Sequence, residues 1–315
     1  MSVSVFSASS ATGRAAVAKL IGGATPSSVR AIFRSEEKAS SLRTSTASVP
    51  SLEIVTGIDA YDASARLVSA FRGTDVAILV TPHDPSRGFA DDAMLQINMM
   101  NAAAEAGVQH IINVGSWTVR DADHVSMIAA RFVPPEAHLA EMTQRHPNLS
   151  WTSIRSGFFM SPNLVNMFGS LRMGNELVFP AECAFSPCDP RDVGRVAAAV
   201  AADAVAALDA SPGGHPSHSG AKYDVSGPEL LTVEEMAAVF ARALDRPIRL
   251  KPVPLEAFAA KMPAPALEEL LLHMGRRGAD AVPFEPRLVE ELTGESAVRL
   301  EEWVRENAAA FERAA

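Results

Sequence analysis

The chain has 315 residues, of which 48% are apolar and 21% are charged, and its formal net charge is −9. This length accommodates one large or two modest domains, and the composition is that of an ordinary globular protein. The acidic balance and the lack of any Lys/Arg run argue against nucleic acid or an anionic membrane as a partner.

The amino terminus and the cysteines predict a cytoplasmic protein without a metal centre. MSVSVF has no basic residue and only a short apolar run, so we do not expect a secretory signal peptide. No stretch reaches the ~18 uninterrupted apolar residues of a membrane-spanning helix. Cys183 and Cys188 are too few for a disulfide scaffold, and a metal pair would need further Cys or His close by.

The first half of the chain alternates between short apolar segments and segments with helical periodicity. We predict strands at 3–7, 27–34, 51–59, 74–82, 109–117 and 149–157. We predict helices between them at 13–23, 35–44, 62–73, 89–108 and 134–146. This alternation predicts an α/β fold with a doubly wound parallel sheet, whose ligands bind at the carboxyl ends of the strands.

The second half is less regular and richer in helix. It contains predicted helices at 191–208 and 232–244, predicted strands at 221–227 and 247–254, and a mostly helical remainder. The segment 232–244 begins with a capping box, because Glu235 follows Thr232 by three residues. We expect a dinucleotide-binding domain at 1–157, to which 190–208 and 221–227 return. Residues 158–315 then form mainly a smaller substrate-binding domain.

The turn after the first strand has the spacing G-x-x-G-x-x-G of a dinucleotide fingerprint, with Ser7, Ser10 and Gly13 at the three glycine positions. A serine that needs a positive φ costs about 1 kcal/mol or more. The helix that starts near Thr12 still offers free amides and a positive dipole end to an anion. The hydroxyls of Ser9, Ser10 and Thr12 are further donors for phosphate. The alternative is a plain strand–turn–helix connection that binds no ligand.

Arg34 ends the second predicted strand, about 20 residues after the turn, where NAD-binding proteins usually carry Asp or Glu. A cation at this position suits the 2′-phosphate of NADP(H), and Lys38 and Arg14 add positive charge. A solvated arginine is the alternative. If a dinucleotide binds, the sequence therefore favours NADP(H) over NAD(H).

Eight segments, spread over nearly the whole chain, carry a resemblance to a known family. They are VFSASSATGRAAVAKL, VRAIFRSEEKASSL, AFRGTDVAILVTP, AAAEAGVQHIINVGSW, WTSIRSGFFMSPNL, DPRDVGRVAAAVAAD, YDVSGPELLTVEEMAAVFARALDRPI and LTGESAVRLEEWVREN. In order and spacing they resemble the NmrA-like atypical short-chain dehydrogenases/reductases, in the branch of ergot-alkaloid-type reductases and bacterial NAD(P)H-binding oxidoreductases. The resemblance implies a Rossmann-type domain, a small C-terminal substrate domain and NADP(H) in the working members. Some relatives sense the cofactor without chemistry.

The resemblance also implies roles for individual residues. Ser7, Ser10 and Gly13 match the glycine turn, Arg34 the 2′-phosphate arginine, Thr81 and Pro82 the strand end along the cofactor, and Gly115, Ser116 and Trp117 the strand end beside the nicotinamide. Phe159, Met160 and Asn163 match the loop under the substrate, with Pro162 as one extra residue. The chain departs from the pattern at the two lost glycines. It also lacks the Tyr-x-x-x-Lys pair of classical short-chain dehydrogenases, since neither Tyr61 nor Tyr223 has a lysine four residues later.

Without that pair, three side chains are candidate proton donors for the reduction of a carbonyl: Ser116, His124 and His138. Each has a structural alternative: Ser116 as a capping hydroxyl, His124 as a solvent-exposed histidine, and His138 as a histidine that faces outward from its helix. Asn163 and Arg155 could hold polar groups of the substrate. Met99, Met100, Met127, Met160 and Met167 could line an apolar pocket, although core packing is the commoner use of methionine. An iminium-type substrate would need no strong acid, because it already carries a positive charge.

The sequence thus predicts an NADP(H)-dependent reductase of a small, largely apolar metabolite, with a C=N, C=C or carbonyl group, in secondary metabolism. One alternative is a non-redox cyclase or isomerase on a decayed Rossmann scaffold. The other is an NADP(H)-sensing regulatory protein. A homodimer is compatible with the sequence, and the part played in it by the helix at 134–146 is left open.

Overall fold

The structure is a computed structural model that describes residues 1–23, 26–46, 49–81, 90–211 and 213–312, with only the backbone at 45, 162 and 163. The chain divides into two compact units. The first comprises Met1–Gly115, Ala130–Arg155 and Val193–Tyr223. The second comprises Ser116–Ala129, Ser156–Asp192 and Asp224–Ala315.

Within the described residues, the strands are β1 (Ser2–Phe6), β2 (Ser28–Ile32), β3 (Leu52–Val55), β4 (Val76–Val80), β5 (His110–Ser116), β6 (Ser150–Ser156), β7 (Phe158–Phe159), β8 (Glu176–Phe179), β9 (Ala184–Phe185), β10 (Pro187–Cys188), β11 (Lys222–Val225), β12 (Leu231–Thr232) and β13 (Arg249–Pro252). The α-helices are α1 (Ala11–Gly22), α2 (Glu36–Ser45), α3 (Ser64–Phe71), α4 (Asp92–Glu105), α5 (Ser126–Ala129), α6 (Val133–Arg145), α7 (Pro162–Met167), α8 (Pro190–Ala210), α9 (Val233–Ala243), α10 (Leu255–Ala259), α11 (Pro265–Arg277), α12 (Leu288–Thr293) and α13 (Leu300–Glu306). Short 3₁₀ helices lie at Trp117–Asp121, Gly169–Arg172, Gly278–Ala281 and Ala308–Phe311.

Seven strands form one sheet in the order β11-β6-β5-β4-β1-β2-β3. The pairs β1–β2, β1–β4, β2–β3 and β4–β5 are parallel. The predicted doubly wound sheet and its extension by the strand near 221–227 are therefore confirmed. Because β2 and β4 lie on opposite sides of β1, the winding reverses at β1, and the carboxyl end of β1 is the place where such sheets bind ligands.

The core of the first unit packs around the strands that the sequence predicts as buried on both faces. Every residue of β4 is buried, as its continuous apolar run indicates. Phe6 of β1 stacks on Phe71 of α3, with 6.0 Å between the ring centroids. Met99 and Met100 of α4 are fully buried in this same cluster. The expectation that these two methionines line a pocket is therefore wrong, because they fill the core.

The second unit has a core of aromatic rings. Phe168 contacts the rings of Phe179, Phe185 and Phe240 at centroid distances of 5.0, 5.9 and 5.6 Å. The separations and tilted planes are those at which aromatic pairs attract. Met160 is 1% exposed and belongs to the buried apolar residues of this unit, so it too is a packing residue.

Three two-stranded sheets accompany this aromatic core: β10–β7, β12–β9 and β13–β8. The predicted strand at 247–254 is observed as β13, which pairs in parallel with β8. The capping box at the start of α9 is also confirmed: Thr232 Oγ1 accepts from the amide of Glu235 at 3.2 Å, and the Glu235 carboxylate accepts from the amide of Thr232 at 2.8 Å.

Candidate functional site

The turn between β1 and α1 is built around the carbonyl of Ser7. This carbonyl accepts hydrogen bonds from the amide of Ser10, at 3.0 Å, and from Ser10 Oγ, at 2.9 Å. Ser7 has a φ of +59°, in the left-handed region that favours glycine. Ser10 has a φ of −68°, which any residue adopts. Of the two serines in glycine positions, only Ser7 therefore sits in a strained backbone conformation.

Ser10 is the N-cap of α1. Its Oγ accepts from the amide of Gly13 at 2.9 Å, while its own proton goes to the carbonyl of Ser7. Such a cap satisfies one of the amides that a helix start leaves without a partner. The expectation that this hydroxyl donates to a phosphate is corrected, because its single proton is used inside the turn.

Gly13 lies where the helix comes closest to the turn. A Cβ at this position would stand 2.9 Å from Cα of Ala8 and closer still to the carbonyl oxygen of Ser7. The glycine is therefore required for close packing of the helix on the strand–turn segment, the role predicted for the third glycine of the fingerprint.

Gly194 of α8 has a related role that the sequence analysis did not identify. A Cβ there would lie 2.7 Å from Cβ of Ala15 and closer to the carbonyl of Thr12. The first turns of α8 therefore pack directly against the first turns of α1. A glycine inside the helical segment PRDVGRVA was the available signal for this contact.

The start of α1 leaves amides available for an anion. Within the described residues, the amides of Ala11 and Thr12 donate to no protein group, whereas those of Gly13 and Arg14 are bonded to Ser10. Two unpaired amides at the positive end of a helix fit the pyrophosphate of a dinucleotide. Thr12 itself is buried in the first turn.

Three cations follow the first two strands. The amide of Ala8 donates to the carbonyl of Ile32 at 3.1 Å, which ties the turn to the end of β2. Arg34 comes two residues after that end and is exposed, as is Lys38 in the first turn of α2. Arg14 folds back so that its Nη1 donates to the carbonyl of Ser9 at 2.6 Å. These cations suit the phosphates of a nucleotide.

The ends of β4 and β5 are joined by side-chain hydrogen bonds. Thr81 Oγ1 donates to the carbonyl of Val114 at 3.0 Å, and Pro82 lies outside the described residues. Gly115 is buried, and a Cβ there would meet the side-chain nitrogen Nδ2 of Asn113 at 3.5 Å, an ordinary contact. Packing within the first unit therefore does not itself demand glycine at position 115.

Ser116 and Trp117 begin the segment of the second unit that follows β5. Ser116 Oγ accepts from the amide of Thr118 at 3.3 Å and lies 3.1 Å from Thr118 Oγ1. The hydroxyl thus caps the 3₁₀ helix, which is the structural alternative considered for this residue. The Trp117 side chain is buried, at 3% exposure.

Two of the remaining candidates are held by neighbouring side chains in the first unit. His138 Nε2 lies 2.7 Å from Oδ1 of Asn101 on α4, and burial lowers the pKa of His138. The guanidinium of Arg155 is already bonded within the protein, because its Nε donates to the buried carboxylate of Glu136 at 2.9 Å. The expectation that Arg155 holds a polar group of the substrate is therefore corrected. His138, bonded to Asn101, belongs to the contact between α6 and α4.

Glu136 is a buried carboxylate near the start of α6. Ser153 Oγ donates to it at 2.8 Å, and Lys222 Nζ approaches it at 3.2 Å. Burial raises the pKa of Glu136, but the hydrogen bonds from Arg155 and Ser153 outweigh it, so the pKa lies below its usual value. The helix that carries the Tyr-x-x-x-Lys pair in classical enzymes here carries a structural ion-pair network.

The predicted loop under the substrate lies in the second unit. Phe159 is half-buried in β7, and the side chain of Asn163 in α7 lies outside the described part of the structure. Two other candidate pocket methionines differ in exposure, since Met127 is 47% exposed and Met167 is half-buried.

His124 is exposed and its ring stacks on that of His273, with 5.6 Å between the centroids and 17° between the planes. His273 is buried, and its Nε2 lies 3.3 Å from Oδ2 of Asp121. The sequence analysis selected His124 but missed its partners, because a contact between residues so far apart leaves no local pattern.

The cysteines carry no visible chemistry. Cys183 and Cys188 are buried free thiols. Burial raises the pKa of Cys183 to about 12 and that of Cys188 well above its usual value, so neither forms a thiolate readily.

In the described part of the chain, no group of three or more His, Cys, Asp or Glu is arranged to hold a metal ion. Among the same residues, no helix has the length and apolar character needed to cross a bilayer.

Comparison with known proteins places this geometry in context. The model of the NmrA-like family matches residues 1–308. The chain is 33% identical over 264 residues to a (4-alkanoyl-5-oxo-2,5-dihydrofuran-3-yl)methyl phosphate reductase from Streptomyces griseus subsp. griseus, covering 82% of this chain and 84% of that protein. It is 30% identical over 254 residues to an NAD(P)H azoreductase from Xenophilus azovorans, covering 78% and 79% of the two chains.

Among solved structures, an NADPH-dependent quinone oxidoreductase from Escherichia coli in complex with NADPH has a TM-score of 0.74 to this chain. The alignment covers 98% of this chain and 100% of the other at 20% identity. At that identity the likeness concerns the fold, and it agrees with the Rossmann-type sheet described above.

Proposed function

The chain belongs to the NmrA-like family, and from this premise we propose that it is an NADP(H)-dependent reductase of a small, largely apolar metabolite. The observation that carries the proposal is the start of α1. There, at the positive end of the helix dipole, the amides of Ala11 and Thr12 have no protein partner among the described residues. Both curated relatives are named reductases, which supports the redox reading over a cyclase or isomerase.

The phosphates of the coenzyme define what the residues of the turn do. The amides of Ala11 and Thr12 bind the pyrophosphate, and Ser10 fixes the helix start that aims them. Arg34 binds the 2′-phosphate and gives the preference for NADPH over NADH. Lys38, four residues after Arg34, and Arg14, next to the turn, add positive charge. When bound, NADPH supplies the hydride.

The substrate class follows from the missing Tyr-x-x-x-Lys pair. Reduction of a polarised C=N, C=C or carbonyl group needs a hydride acceptor held against the nicotinamide, and a carbonyl also needs a proton donor. A cationic acceptor such as an iminium ion needs only the hydride. We propose as the substrate a small, largely apolar metabolite of secondary metabolism that carries a C=N, C=C or carbonyl group. The cytoplasmic location and a homodimer stay predictions; sedimentation velocity tests the second.

Calorimetric titration of the purified protein with NADPH and NADH tests the coenzyme. We expect a dissociation constant for NADPH on the order of micromolar, which corresponds to about −8 kcal/mol, and much weaker binding of NADH. The absence of binding to both would contradict the proposal. Tight NADPH binding without oxidation by any acceptor in a panel of quinones, azo dyes and iminium ions would favour an NADP(H)-sensing protein instead.

A further inference from the structure

Ser7 is one of two described residues other than glycine with a positive φ, the second being Asp245 with a φ of +47°. This conformation costs free energy for a residue with a Cβ, and aspartate tolerates it because its short side chain can hydrogen-bond to nearby backbone. The Ser7 hydroxyl makes no such local bond, since it has no hydrogen-bond partner among the described residues. The strain at Ser7 thus has no explanation inside the turn, and residues strained in this way cluster where proteins bind ligands.

Ser7 is also the point at which the end of β1 reaches the surface. Residues 3–6 and Ala8 are buried, whereas Ser7 is half-buried. The winding of the sheet reverses at β1, because β2 and β4 lie on either side of it. Ligands of such sheets bind outside the carboxyl end of the strand at the reversal. The exposed surface of Ser7 therefore lies at the edge of the sheet where the first unit offers a ligand site.

Two hydrogen bonds place Ser7 between the groups that bind the two phosphate ends of the coenzyme. On one side, the Ser7 carbonyl accepts from the amide of Ser10 at 3.0 Å, and Ser10 caps the helix start that binds the pyrophosphate. On the other side, the amide of Ala8 donates to the carbonyl of Ile32 at 3.1 Å, and Arg34 follows two residues later. The adenosine ribose of NADPH joins its pyrophosphate to its 2′-phosphate. A coenzyme held at both ends therefore has this ribose nearest to Ser7.

We propose that the Ser7 hydroxyl hydrogen-bonds to the adenosine ribose of NADPH, so that serine at the first glycine position strengthens coenzyme binding. This inference rests on the proposed reductase function. A serine hydroxyl offers one donor and two acceptor lone pairs, and the free 3′-hydroxyl of the ribose can pair with either. Glycine at this position would relieve the strain and would also remove the ligand. The inference therefore predicts the opposite of the fingerprint, in which glycine is the residue that favours binding.

Two substitutions of Ser7 separate the hydroxyl from the backbone conformation. Ser7→Gly relieves the strain and restores the glycine of the fingerprint, whereas Ser7→Ala keeps the Cβ and loses only the hydroxyl. We expect both to weaken NADPH binding about fivefold in calorimetric titration, which corresponds to about 1 kcal/mol and thus to one hydrogen bond. Neither should lower the midpoint of thermal unfolding of the coenzyme-free protein. A lower midpoint in both variants would assign the hydroxyl a structural role and overturn the inference.

Asp245→Gly and Ser69→Ala are the matched controls. The first relieves the same kind of strain in the second unit, and the second removes an exposed hydroxyl from α3. Both should bind NADPH as the wild type does. A Ser7→Gly protein that binds NADPH as tightly as the wild type, or more tightly, would overturn the inference, because the serine would then contribute nothing that glycine lacks.

A fragment of the coenzyme tests which part of it the hydroxyl contacts, without any turnover. The fragment 2′,5′-ADP contains the adenosine ribose and its two flanking phosphates and lacks the nicotinamide half. Both Ser7 variants should bind 2′,5′-ADP more weakly than the wild type by the same factor as NADPH. A loss confined to NADPH would overturn the assignment to the ribose. Unchanged affinities in both variants would overturn the inference and leave the reductase proposal intact, whereas a wild type that binds neither compound contradicts both.

Discussion

The amide of Gly13 donates a hydrogen bond of 2.9 Å to Oγ of Ser10, at the point where the glycine fingerprint has lost its second glycine. The serine therefore replaces the conformational freedom of glycine with a helix cap. Its φ of −68° shows that this position needs no positive φ in this chain. The cap stabilises α1 while leaving the amides of Ala11 and Thr12 without a protein partner in the described structure.

Ser10→Ala should lower the free energy of unfolding by about 1 kcal/mol, because the amide of Gly13 loses its acceptor. Ser10→Asp keeps an acceptor and should retain stability, yet its charge should weaken NADPH binding by repelling the phosphates. Urea unfolding and calorimetry measure the two effects. Thr232→Ala, which removes the corresponding cap of α9, is the control: stability falls and NADPH affinity stays. Equal NADPH affinity of Ser10→Asp and wild type would contradict placement of the pyrophosphate here.

A second prediction compares two glycines of the same helix. Gly13→Ala places a Cβ 2.9 Å from Cα of Ala8, so the helix must shift, and we expect a loss of about 1–3 kcal/mol in stability together with loss of NADPH binding. Gly22→Ala meets no atom within 4 Å and should be neutral or stabilising. Thermal unfolding and coenzyme titration of both variants provide the check. A Gly13→Ala protein as stable as wild type would show that the helix does not pack this closely.

The third prediction concerns coenzyme choice. Arg34→Gln removes the exposed cation beyond β2 and should weaken NADPH binding about tenfold or more, the value of one to two charge-assisted hydrogen bonds. NADH binding should not change, since NADH lacks the 2′-phosphate. Arg43→Gln removes the same charge from α2, where Arg43 is paired with Glu36, and serves as the control. If both variants bind NADPH alike, the preference must come from other residues.

The large sheet could be predicted from sequence because its strands carry strong local signals. β4 is buried throughout and reads as one apolar run, and the helices between strands end in recognisable caps. The strands β7, β9, β10 and β12 could not be predicted, because two residues have no periodicity to detect.

The candidate site was predictable in its backbone and less so in its side chains. The role of Gly13 follows from its place in the fingerprint, but the proton of Ser10 is directed by the carbonyl of Ser7, whose orientation depends on a positive φ that the sequence does not reveal. The partner of His124 is distant in the chain. Pairs such as His124–His273 and Glu136–Arg155 form through tertiary packing, which local patterns do not encode.

The fourth prediction follows from a buried histidine of β5. His110 is enclosed between two hydroxyls, with its Nδ1 2.7 Å from Ser150 Oγ and its Nε2 3.0 Å from Thr152 Oγ1. Burial, and then the nearby His218 and His215, lower the pKa of His110 to about 3. The folded protein thus keeps this ring neutral at a pH where the unfolded chain would protonate it.

Because the unfolded state binds the additional proton, His110 lowers the stability of the folded state as the pH falls from about 6.5 towards a folded-state pKa of about 3. The slope contributed by one proton is up to about 1.4 kcal/mol per pH unit. His110→Gln keeps polar atoms for the two hydroxyls and should flatten the dependence of the unfolding free energy on pH across this window. Urea unfolding at intervals between pH 7 and pH 4 measures the slope. His146→Gln, at an exposed histidine, is the control for removing a histidine elsewhere. If the unfolding free energy has the same pH slope in His110→Gln and wild type, the fold does not hold the His110 ring neutral.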